Sequence, residues 1–149
     1  MDRPIVVAVD GSPAAEQAVA VALDLAFAQR AKVVFVHYSP IAAKLLEGAP
    51  DSGPSPDAIE RADVVLRAAA EKARERAIAF ELEIVDERGT TDIAASLAGI
   101  AEARRASLVV VGSRGRGTIA GAVLGSVSRG LLSVSRMPVL VTHAADAGR

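Results

Sequence analysis

The chain has no cysteine and no tryptophan, and only one tyrosine and three phenylalanines among 149 residues. Without cysteine there are no disulfides, no thiolate metal ligands and no thiol nucleophile. With so few rings, a surface that stacks exposed bases is excluded as the main theme. Only two histidines are present, which rules out a histidine-rich metal cluster. Charge of one sign is also lacking: the net charge is −1, so no global field draws the chain to nucleic acid or anionic lipid. No apolar run reaches membrane-spanning length. Met1-Asp2-Arg3-Pro4 leads straight into a strand-like run, without the basic and apolar segments of a secretory leader. Lysine is scarce as well. Lys32, Lys44 and Lys72 are the full set, and none lies in a glycine-rich loop, so P-loop chemistry is unsupported. Gly-x-Ser-x-Gly is absent too.

What is present is small and aliphatic. Half the residues are hydrophobic (51%), many of them alanine, which predicts helices packed closely on a sheet. Ile5 to Val9 is a short β-branched run suited to a strand covered on both faces. Ser12 and Pro13 then open a helix that ends near Arg30, with Ala15, Ala18, Val19, Ala22, Leu23 and Ala26 inward. Val33 to Tyr38 is the second strand. Ser39 to Pro56 carries four prolines and reads as a loop with a helical turn near Ile41–Glu47. Asp57 is expected to cap one helix running to about Ala79, its buried stripe being Ile59, Ala62, Val65, Ala69, Ala73 and Ala77. Phe80 to Val85 alternates as a half-exposed edge strand. A helix capped by Thr91 or Asp92 follows, then a strand from Leu108, a helix marked by Val127, Leu131 and Val134, and a last strand, Met137–Val141. Pro138 places that strand at an edge. This alternation predicts a single-domain α/β fold: a doubly wound parallel sheet of five strands with helices on both faces. The domain is expected over 1–143, with 144–149 a frayed tail.

The chemistry gathers between Val109 and Ser128. An apolar run ends in Gly112-Ser113-Arg114-Gly115, and Gly125-Ser126 opens a helix. Glycines let backbone N–H groups approach an anion, and a helix N-terminus adds free donors and partial positive charge. Arg114 and Arg116 carry forked donors suited to phosphate oxygens. The segment therefore reads as a phosphate cradle. The same glycines also suit a tight turn and close helix packing, and Arg114 and Arg116 also suit a solvated loop. Asp10-Gly11-Ser12-Pro13 is equally ordinary turn chemistry after a strand. His37 reads as a hydrogen-bonded core histidine.

The spacing G-x2-G-x9-G-S, from Gly112 through Gly115 to Gly125-Ser126, resembles the nucleotide-binding motif of the universal stress protein family. The opening Val7-Ala8-Val9-Asp10-Gly11-Ser12 and the closing Met137-Pro138-Val139-Leu140-Val141 are similar to that family's first and last strands, so the resemblance spans almost the whole chain. It points to the UspA-like, ATP-binding subclass and implies the strand order 3-2-1-4-5. It further implies phosphate contacts at Gly115, Gly125, Ser126 and Ser128, with Val127 in the same segment. Gly112 and Ser113 would lie by the ribose. Asp10 would lie near ribose, phosphate or a bound Mg²⁺, and Ala8 and Tyr38 would line the adenine pocket. An aliphatic residue is more usual than Tyr38 at its position.

On this reading the protein is an ATP-binding regulatory module of the stress response. The absence of cysteine fits a cytoplasmic location, and the resemblance supports a homodimer paired through the Met137–Val141 edge, with a protein partner the sequence does not identify. Nucleic acid and membrane are not expected partners. Two alternatives stand beside it: a slow Mg²⁺-dependent ATPase using Asp10, and a nucleotide-free homodimeric scaffold.

Overall fold

The computed structural model describes residues 3–114 and 124–144. Five strands, β1 (Ile5–Ala8), β2 (Val33–Ser39), β3 (Phe80–Asp86), β4 (Leu108–Gly112) and β5 (Val139–Thr142), form one sheet. Its order is β3-β2-β1-β4-β5 and every pairing is parallel, as expected. Between them run α1 (Pro13–Gln29), α2 (Ala42–Leu46), α3 (Pro56–Ala62), α4 (Val64–Glu75), α5 (Ile93–Ala103) and α6 (Ser126–Val134).

Successive strand residues feed opposite faces. Val7 and Phe35 pack with Ala18 and Ala22 of α1 and with Leu66 and Ala73 of α4. Val6 and Val34 pack on the other face with Leu97 of α5 and Leu131 of α6. Ile5, Val6 and Val7 are fully buried, which explains why β1 shows no polar alternation. Right-handed crossovers put α1 and α4 on one face and α5 and α6 on the other. The winding therefore reverses between β1 and β4.

Local chemistry sets the helix ends. The Ser12 hydroxyl accepts from the Ala15 amide (3.2 Å), Pro13 occupies the first turn, and Arg30 closes α1 with a left-handed φ of 54°. The Asp92 carboxylate accepts from the Ala95 amide and starts α5. β5 begins at Val139 rather than Met137, because Pro138 has no N–H for the ladder; its carbonyl accepts from Val109 instead.

The expected helix from Asp57 to Ala79 is two helices. Ser55, not Asp57, is the N-cap of α3, with Pro56 in its first turn. The chain then turns out of helical geometry at Asp63 (φ −117°, ψ 107°), and Asp63 caps α4. The break changes the phase of the stripe: Leu66, Ala69, Ala70 and Ala73 are buried, whereas Ala62 and Ala77 are exposed. The helix stops at Glu75, and Ala77 adopts a left-handed φ of 54°. An aspartate among good helix formers is silent in a periodicity argument, although its side chain competes for backbone amides.

Candidate functional site

The reversal between β1 and β4 opens a cleft of about 840 Å³ at the C-terminal edge of the sheet. Ala8 and Asp10 come to it from β1, His37 and Tyr38 from β2, Gly112, Ser113 and Arg114 from β4, and Gly125, Ser126, Val127 and Ser128 from the start of α6. Apart from His37, which the sequence placed in the core, all of these are sequence-predicted site residues, and they meet there. Gly115 and Arg116 lie outside the described residues, as does the tail beyond residue 144.

The β1–α1 turn is built on Gly11, whose φ of 79° is costly for other residues. It lets the Asp10 carboxylate accept from the Ser12 amide at 2.9 Å. Ser12 donates from its hydroxyl to the Arg114 carbonyl at 3.4 Å, linking the two sides of the cleft. At the end of β4 the requirement for glycine is steric. A Cβ on Gly112 would sit 2.8 Å from the Ala14 carbonyl carbon and 2.9 Å from the Ala15 nitrogen. The close helix packing open in the sequence is therefore present at Gly112.

Ser113 fastens the next layer. Its amide donates to the Thr142 carbonyl, and its carbonyl accepts from the Gly125 amide, both at 2.6 Å. The Ser128 hydroxyl, 1% exposed, points inward and donates to the carbonyls of Ser113 and Gly125 at 3.1 Å. Ser128 thus uses its side chain to hold α6 against the end of β4.

These ties fix the N-terminus of α6 at the cleft. Gly125 is its extended cap and brings no side-chain acceptor. The amides of Ser126, Val127 and Ser128 have no acceptor among the described residues. Arg114 and Arg129 line the same end. Sequence reasoning missed Arg129; the available signal was its place one turn beyond Gly125, on the helix already read as anion-facing. Three open amides, a helix dipole and two guanidinium groups make this end suited to an anion.

On the β2 side, away from β4 and α6, the cleft wall includes Ile41, Val64 and Val65. The Tyr38 hydroxyl donates to the Ser96 hydroxyl at 2.9 Å, which fixes the ring. Burial raises the Tyr38 pKa, aided by the Glu83 charge and opposed by the Ser96 bond. His37 is hydrogen-bonded, as expected, but it also lines the cleft. Its Nδ1 lies 2.7 Å from Oδ2 of Asp63, a residue the sequence reading left unassigned. The other Asp63 oxygen accepts from the Leu66 amide at 2.9 Å.

Burial pushes the Asp63 carboxyl up, but the bonds from His37, Leu66 and Val65 outweigh it and leave the pKa below the usual carboxylate value. A lowered folded pKa means that the stabilisation is fully present above the unfolded value of about 4 and is lost as pH falls through the folded one. Acid unfolding of the wild type should therefore steepen below about pH 4. Urea midpoints measured across pH 2–6 should show this slope reduced in Asp63→Asn.

Among the described residues no three His, Asp or Glu side chains gather in a way that could hold a metal ion. Asp10 offers one carboxylate, which fits Mg²⁺ held mainly by ligand phosphates and water. No described helix is long and apolar enough to cross a membrane.

The chain matches the Universal stress protein family over residues 1–143. A universal stress protein of Mycobacterium tuberculosis is 33% identical over 141 residues, 94% of this chain and 45% of the relative, so the chain spans about half the length of that curated relative. A universal stress protein of Archaeoglobus fulgidus solved in complex with dAMP is 25% identical with a TM-score of 0.67, covering 94% of this chain and 97% of that one. A further universal stress protein structure, in complex with cAMP, is 29% identical with a TM-score of 0.67, covering 97% of this chain and 98% of that one. With its parallel sheet in the order 3-2-1-4-5 and a family match over nearly its whole length, this chain belongs to the universal stress protein family.

Proposed function

We propose that the cleft binds an adenine nucleotide, with ATP as the expected ligand, and that occupancy regulates a partner surface. The observation that carries this reading is the open N-terminus of α6, with Arg114 and Arg129, at the β4 end of a cleft whose β2 end carries Ile41, Val64 and Val65. Phosphates suit the first end and a purine the second. The neighbours solved with dAMP and cAMP support the ligand class. In this arrangement the amides of Ser126, Val127 and Ser128 take phosphate oxygens, together with Gly115 and Arg116. Gly112 and Ser113 border the ribose, and Ala8 and Tyr38 the base. Asp10 supplies one ligand to a Mg²⁺ carried by the phosphates.

The working unit is a cytoplasmic homodimer joined along the β5 edge. Among the described residues β5 pairs only with β4, which leaves its other side available to a second copy. Asp10 also supports slow ATP hydrolysis, in which it would hold the metal while Arg114 and Arg129 neutralise charge. No lysine lines the cleft, so the usual P-loop route to charge neutralisation is missing.

ATP at about one hundred times its Kd should stabilise the protein by about 2.7 kcal/mol. For a domain of this size that raises Tm by roughly 5–10 °C, read by differential scanning calorimetry. Arg129→Glu should weaken ATP binding tenfold or more, since a charge-assisted bond becomes a repulsion. An unchanged Tm at millimolar ATP would favour the nucleotide-free scaffold.

A further inference from the structure

His37 is the one histidine in the cleft wall, and Asp63 holds it. It lines the cleft on the β2 side with Val64 and Val65, whereas the α6 amides follow β4, on the far side of β1. Ile41 and Val64 there are 40% and 65% exposed although both are large and aliphatic, an arrangement suited to a flat apolar ligand covering them. The carboxylate of Asp63 can only accept, and it is 2% exposed. The proton of a neutral His37 therefore resides on Nδ1, and Nε2 carries a lone pair. Nε2 has no partner among the described residues.

We propose that His37, oriented by Asp63, reads the edge of the bound base and selects a 6-aminopurine over a 6-oxopurine. This deepens the nucleotide reading above and rests on it. An Nε2 lone pair accepts from an exocyclic amino group, whereas a 6-oxo group presents another lone pair and is repelled. A polar atom left unpaired against the wrong base also loses its own hydration. His37 is then a specificity residue, and Asp63 a positioning residue that sets its tautomer.

Asp63→Asn gives the decisive test, because the α4 cap dictates how the new amide sits. The Leu66 amide needs an acceptor, so the Asn oxygen keeps the cap and the Asn NH₂ faces His37. That NH₂ donates to Nδ1, drives the ring proton to Nε2 and converts Nε2 from acceptor to donor. The wild type should bind ATP about tenfold more tightly than ITP, the worth of one hydrogen bond. In Asp63→Asn that preference should vanish or invert. In His37→Phe it should fall towards unity while ATP binding persists. Titration calorimetry with ATP and ITP reads all three proteins. Imidazole ¹⁵N spectra of the wild type give an independent reading: Nε2 should be the unprotonated nitrogen and should shift on adding ATP.

ATP binding with the wild-type ATP/ITP ratio retained within twofold in either folded variant overturns this proposal alone. So does an Nε2 resonance that ignores ATP, which decides the matter should both variants fail to fold. No binding of either nucleotide to the wild type overturns the nucleotide reading and this proposal with it.

Discussion

Replacing Asp63 with alanine should lower the unfolding free energy by about 4 kcal/mol. The carboxylate does two jobs from a buried position. One oxygen caps α4 through the Leu66 amide, and loss of such a cap alone costs about 1 kcal/mol. The other holds His37 at 2.7 Å, and removing one member of a buried polar pair leaves the other desolvated without a partner. The two losses fall on one residue because Asp63 sits where α3 ends and α4 begins. Urea unfolding monitored by circular dichroism would measure the effect. Asp63→Asn should lose about 1 kcal/mol, since it keeps the cap and a neutral hydrogen bond. Asp57→Ala is the informative control. Asp57 is exposed, and the Ser55 hydroxyl already caps α3, so its loss should stay within about 0.5 kcal/mol. Equal losses at Asp57 and Asp63 would contradict the observed break between α3 and α4.

Gly112→Val should destabilise by about 3 kcal/mol and weaken ATP binding at the same time. The added Cβ meets the backbone of Ala14 and Ala15, which no change of rotamer relieves. Either the first turn of α1 moves away or the end of β4 does. Both choices disturb the cleft, because the Thr142 hydroxyl donates to the Ala14 carbonyl at 3.0 Å and the Ser113 amide donates to the Thr142 carbonyl. The Gly125 amide and Ser128 hydroxyl hang from the same Ser113 carbonyl, so the strain reaches the N-terminus of α6. Calorimetric Tm and ATP affinity on the same sample would test the linkage. Gly99→Ala provides the opposite sign. Nothing lies within 4 Å of a Cβ at Gly99, which sits inside α5, so alanine there should stabilise by up to about 1 kcal/mol and leave ATP binding unchanged.

The fold was legible in the sequence because its signals are local. Ser12-Pro13 announces α1, the β-branched runs announce β1, β2 and β4, and the alternation of strand and helix leaves little besides a parallel α/β sheet. The strand order entered through family resemblance, since periodicity carries no information about neighbours. The anion-suited end of the cleft was legible for a related reason. Gly125 and Ser126 are read in chain order, and a helix N-terminus is a backbone property that needs no distant partner. What only the tertiary structure decided depends on atoms far apart in the chain. His37 and Asp63 are 26 residues apart, and neither announces the other. Gly112 is glycine because α1 crosses it, and Ser128 turns its hydroxyl inward because the Ser113 carbonyl waits there. Even the break at Asp63 escaped a reading by helical period, because capping is a choice between two hydrogen bonds of similar strength, which burial against the rest of the fold decides.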